Sequence, residues 1–214
     1  MNTAVDDAKE RAVSVESDVT WDTVQYIDKR RVNTPDGRVE EVWSLPLQEA
    51  LLARFFTEVF EQHHDRIIFG PLFPGAAYEL KPPGKPQSVQ LEDGYLTVHW
   101  GRCGHFHLCV GRGRQPAATP SPPEGVAPRL PARAEFYRRL DRAGLPVSWG
   151  FQMFNGRGEP QITLLFPNPF VTDDDQVTTT PDWTRLSTWK QLLARYTGNE
   201  PDGFDEQGQG FGNI

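Results

Sequence analysis

The sequence predicts an α+β fold, a mostly antiparallel β-sheet with about three α-helices packed against it in a single domain. Three observations lead there. Runs that alternate apolar and polar residues outnumber the runs with helical spacing. Consecutive β-like runs are joined by tight-turn signals such as Asp93-Gly94 and Asn155-Gly156. The helical stripes are few but strong. A chain of 214 residues with 37% hydrophobic content is long enough for one sizeable core.

The elements follow in order. Residues 1–20 lack periodicity and read as a disordered leader, with no apolar stretch of the kind that marks a secretory signal. The domain proper runs over 21–198. It opens with TVQYIDKRRV, the turn signal TPDG (Thr34 to Gly37) and RVEEVW, which together predict a hairpin. Ser44 is the expected cap of the next helix, with Pro46 in its first turn, where a missing N–H does little harm. Leu47, Leu51, Leu52, Phe55, Phe56, Val59 and Phe60 then form one apolar stripe that ends near His63 and His64. Those two histidines read as a C-terminal pair facing the helix dipole.

Short strands are expected at Ile67 to Phe69, Ala77 to Leu80 and Ser88 to Leu91, and a hairpin turn at Asp93-Gly94 leads into YLTVHW. Residues 115–131 hold six prolines and predict an irregular loop, either a surface excursion or a lid. A helix over Ala132 to Ala143, with Phe136 and Leu140 inward, precedes a hairpin of VSWGFQMF and PQITLLF joined through NGRGE. Asp182 is the expected cap of a last helix carrying Leu186, Trp189, Leu192, Leu193 and Tyr196. Residues 199–214 form a glycine-rich tail. Its GQGFG follows a helix rather than a strand, so it is not a dinucleotide fingerprint.

Composition narrows the function classes. A net charge of −7 and a pI near 5.3 argue against nucleic acid as a partner, because no basic face is available to displace counterions. No apolar run approaches the roughly 18 residues of a membrane span. Two cysteines do not make a disulfide framework, so reduced thiols and the cytoplasm are expected. The expected partner is a small-molecule ligand.

The chemistry concentrates in HWGRCGHFHLC, His99 to Cys109, which holds three of the five histidines and both cysteines. One arrangement is a continuous strand over Tyr95 to Val110, although GRCG in its middle resembles a turn. The other is a tight hairpin around GRC, with His99 opposite His105 and Thr97 opposite His107. Opposed Cβ atoms in such a pair lie about 4.5–5.5 Å apart, close enough for imidazoles to converge on one ion. Three neutral imidazoles with an open position suit Zn2+ first and Fe2+ second. A zinc-bound water there would be acidified to a pKa of about 7. Over these few residues the hairpin resembles the strand pair that holds zinc in the α-type carbonic anhydrases.

Cys103, at the turn, is the candidate fourth ligand, which would close the site. Cys109 lies about 20 Å from Cys103 along an extended strand and is left out. Haem, with one histidine as axial ligand, is a further alternative, and so is a Cys103–histidine nucleophile. Gln152 and Glu159 are the candidate catalytic residues, as a ligand-orienting amide and a general base. Gln161 and Thr163 share the polar side of their hairpin. The run Asp173 to Asp175 lacks the spaced oxygens of a calcium loop. The expected function is therefore a metal-binding protein that activates water or a small ligand, a metal-dependent hydrolase, lyase or oxygenase. The alternative from another class is a non-catalytic module that binds a small molecule, haem or a partner on a polar sheet face.

Overall fold

The computed structural model describes residues 26–34, 37–73, 75–113 and 128–211. The leader at 1–20 and most of the proline-rich loop lie outside the described residues.

Eleven strands and two α-helices are present among them. The strands are β1 (Arg30–Asn33), β2 (Val39–Ser44), β3 (Ile68–Gly70), β4 (Leu72–Phe73), β5 (Ala76–Ala77), β6 (Ser88–Glu92), β7 (Tyr95–His99), β8 (His105–Cys109), β9 (Pro131–Leu140), β10 (Pro146–Asn155) and β11 (Pro160–Leu165). The helices are α1 (Glu49–Gln62) and α2 (Ser187–Thr197). Six strands form one open antiparallel sheet in the order β1-β2-β9-β10-β11-β3, and β6-β7-β8 form a second. β4 and β5 pair as a short separate ribbon.

The fold is thus predominantly antiparallel β with two α-helices in a single domain, and the expectation of about three helices is corrected. The helix expected at Ala132 to Ala143 is the strand β9, paired with β2 on one side and β10 on the other. Phe136 and Leu140 lie four residues apart, a spacing that a helix and a strand both place on one face. The alternation was masked by Arg138, a charged residue on the buried side that is only 1% exposed.

Helix α1 sits against both sheets, which is why its apolar stripe is wide. Phe55 and Phe56 meet Phe136 and Phe151 of the large sheet at ring separations of 4.4–5.6 Å. Phe60 meets Phe106 of β8 at 5.3 Å and Trp100 at 5.9 Å. Helix α2 covers the same face of the large sheet, where Trp189 packs edge-on to Trp43 and its indole N–H donates to the Gly150 carbonyl at 3.1 Å.

The start of α1 differs from expectation. Ser44 does not cap it but ends β2, its hydroxyl accepting from Arg30 at 2.6 Å. The helix begins at Glu49 after Gln48, which makes no side-chain cap, and Leu47 at the edge of the stripe is exposed. Asp182 does cap, through the Thr184 amide at 3.1 Å, but it caps a 3-10 turn at Trp183–Leu186 that runs on into α2. Asp93 and Gly94 both take positive φ, as a two-residue hairpin turn requires.

On the far face of the large sheet Gly150 lies directly opposite Tyr137. A Cβ at Gly150 would sit 2.3 Å from the Tyr137 ring, which is only 1% exposed. Gly150→Ala is therefore expected to cost about 1–3 kcal/mol by overpacking, read as a lower urea midpoint with an unchanged slope. A midpoint equal to wild type would show that the ring is not confined.

Candidate functional site

Strands β7 and β8 pair in the hairpin register the sequence suggested, with His99 opposite His105 and Thr97 opposite His107. The Trp100 amide closes the turn onto the Gly104 carbonyl at 2.8 Å. The turn itself is a 3-10 segment, Gly101–Cys103, with Gly101 and Gly104 both at positive φ. Alternation sends Leu96, Val98, Phe106 and Leu108 toward α1 and the core. The same alternation turns Thr97, His99, His105 and His107 to the other side.

The three imidazoles share that face but are not equivalent. The rings of His105 and His107 lie 5.0 Å apart, and those of His99 and His105 stack at 5.8 Å. The Thr97 hydroxyl is 2.7 Å from His107 Nδ1, a bond that fixes the ring and leaves Nε2 as the nitrogen for a metal. His99 is tied differently. The Gly101 amide donates to its Nδ1 at 3.2 Å, so the proton of the neutral ring sits on Nε2. To ligate through Nε2, His99 must release that amide. Among the described residues no group of three or more His, Cys, Asp or Glu side chains is close enough to hold a metal ion. His105 and His107 are exposed, as is Cys103 at the turn.

The remaining candidates lie elsewhere. Gln152 is on the far face of the large sheet, where its amide donates to Glu135 at 3.0 Å and to Glu40 at 3.2 Å. Both carboxylates are almost fully buried, and Arg139 holds Glu40 through two nitrogens. Glu159 belongs to the β10–β11 turn, its carboxylate accepting from the Asn155 amide at 2.9 Å. Neither joins the histidines. Gln161 does reach their hairpin, donating to the Cys109 carbonyl at 3.3 Å. Cys109 is buried, and burial pushes its thiol above the ordinary range, which suits an inert core position. Trp100 and Phe106, the aromatics nearest the imidazoles in sequence, pack against Phe69 and Phe60.

His63 ends α1, its Nε2 3.8 Å from Glu58, and burial lowers its pKa below the usual value. His64 lines a cavity of about 660 Å³ formed with the end of β11, the segment around Lys81 and the loop at 167–175. Sequence reasoning missed this cavity. Its walls come from segments spread along the chain from His64 to Phe211, and no local pattern marks them. No helix among the described residues is long and apolar enough to cross a membrane.

Residues 29–198 match a family of unknown function, DUF7676. No curated protein matches the chain.

Proposed function

We propose, for a chain that belongs to this family of unknown function, that it is a cytoplasmic metal-binding protein holding a divalent transition ion on the histidine face of β7 and β8. Zn2+ is the first choice and Fe2+ the second, since imidazole nitrogen suits both. The reading rests on the pair His105 and His107, two residues apart on a strand, with rings 5.0 Å apart and the His107 Nδ1 held by Thr97. An exposed pair leaves several positions for solvent, and bound there the ion would supply an acidified water for hydrolysis or hydration.

The test is a zinc titration of untagged protein by calorimetry. One equivalent is expected. His105→Ala or His107→Ala should weaken binding by at least about tenfold, as loss of a direct ligand implies. His99→Ala should have the smaller effect, because His99 must first give up the Gly101 amide. Cys103→Ser should bind as wild type, and a large loss there would make the site a closed structural one. Absence of any saturable uptake would end the metal reading. A second reading, a small-molecule binding module that needs no metal, is favoured by the cavity beside His64, which none of the hairpin histidines lines.

A further inference from the structure

We propose that the cavity of about 660 Å³ binds a small monocarboxylic acid with a hydrocarbon body, its carboxylate taking the place that Asp173 now holds on Arg185. The volume is that of an ordinary small-molecule site, in the range of about 300–1,000 Å³. Ile68, Leu165, Val171 and Pro82 supply apolar lining for the body of such a ligand.

The head-group site is built around Arg185. Its side chain is 15% exposed and fixed from behind, with Nε donating to the Asn168 carbonyl at 3.1 Å. Its Nη1 donates to Asp173, whose side chain is 88% exposed. A guanidinium sunk into the cavity wall is thus satisfied by a carboxylate reaching in from solvent. Asp173 stands on a short turn closed by Thr172 and Gln176, so a side-chain rotation removes it without moving the backbone. Arg66 and Lys81 also line the cavity and act on Asp173. The hydrogen bond and charge of Arg185, reinforced by these two, hold its carboxyl below the usual range. Released by Asp173, Arg185 Nη1 would donate to a ligand carboxylate in the same way.

Charge selects the ligand class. Three basic side chains line the cavity against four carboxylates, Asp65, Glu79, Asp173 and Asp175. A monocarboxylate that displaces Asp173 from Arg185 adds one negative charge to this rim, whereas a phosphate dianion adds two. His64, which also lines the cavity, carries a buried Nδ1 without a hydrogen-bond partner, although buried polar atoms are rarely left so.

The experiment is calorimetric titration with phenylacetate and hexanoate in the presence of EDTA, so that an ion on the hairpin plays no part. Phenylacetamide and inorganic phosphate serve as controls. Both carboxylates should bind, and both controls should fail. Asp173→Asn removes the internal competitor at an exposed position and should tighten carboxylate binding about tenfold, the scale of one charge-assisted contact. Arg185→Gln should abolish it. Binding of the amide equal to that of the acid, or an Asp173→Asn variant no tighter than wild type, would overturn the proposal. Failure of both carboxylates to bind Asp173→Asn at millimolar concentration would do the same. None of these results touches the hairpin reading.

Discussion

Replacing Arg138 with methionine is expected to cost about 3–5 kcal/mol at neutral pH, because it strands buried carboxylates rather than merely removing a bond. Arg138 lies on the buried side of β9. Its Nη1 bonds Asp205 at 2.8 Å and Asp202 at 2.7 Å, while Nε and Nη2 both bond Glu41. Asp205 is itself only 1% exposed and would retain the Trp149 indole N–H at 2.7 Å as its remaining strong donor. The guanidinium also packs over the rings of Trp43 and Phe204, so a methionine fills the space without replacing the charge.

The pH dependence separates this account from simple loss of packing. Burial raises the Glu41 carboxyl, but Arg138 and Lys29 together outweigh it and hold the group below its ordinary value of 4.5. A carboxyl depressed in the folded state stabilises fully above its unfolded value, and the benefit is lost as pH falls through the folded one. Wild type should therefore lose stability below about pH 4.5 as that linkage implies. In Arg138→Met burial of Glu41 acts unopposed by Arg138, so its stranded carboxyl takes up a proton at higher pH and the deficit shrinks as the solution is acidified. Urea unfolding at pH 7 and pH 4 reads the difference. A deficit that stays constant between them would assign the cost to shape alone. Adding Asp205→Asn should recover part of the loss, since the amide oxygen still accepts from Trp149.

That network also marks the limit of what the sequence makes legible. Local devices read well. The glycines flanking Arg102 and Cys103, with strict alternation on either side, dictate the β7–β8 hairpin and put three histidines on one face. The stripe from Leu51 to Phe60 dictates α1, and its breadth already reflects a helix covered on two sides. What fails is whatever depends on tertiary pairing. Arg138 is tolerated inside because Asp202 and Asp205, more than sixty residues away, meet it there. A polar residue in an apolar row then looks like a helix surface. Gln152 reads as a candidate ligand contact until Glu40 and Glu135 are found to occupy its amide. The histidine face was legible for the opposite reason, since strand alternation alone assembles it. Even there, the distinction between His99 and His107 rests on the Gly101 amide and the Thr97 hydroxyl, and side-chain rotation is not written in the residue order.

Replacing both His105 and His107 with alanine is expected to abolish metal uptake while leaving a cooperatively folded protein. Both side chains are exposed, and the residues that alternate with them, Phe106 and Leu108, belong to the buried side. The core that holds the fold lies away from the histidines. Phe55 touches four other rings, those of Phe56, Phe136, Phe151 and Tyr196. Trp189 and Trp149 are buried with it. A domain with such a core does not need a metal staple, unlike zinc-dependent mini-domains that are unfolded without their ion. Zinc should raise the melting temperature of wild type by mass action, equivalent to about 2.7 kcal/mol at a hundredfold excess over Kd. The double variant should melt at the temperature of chelated wild type, with or without zinc. Loss of the cooperative transition in either would make the ion part of the fold rather than of its chemistry. An unchanged zinc-dependent shift in the double variant would move the ligands away from this hairpin altogether.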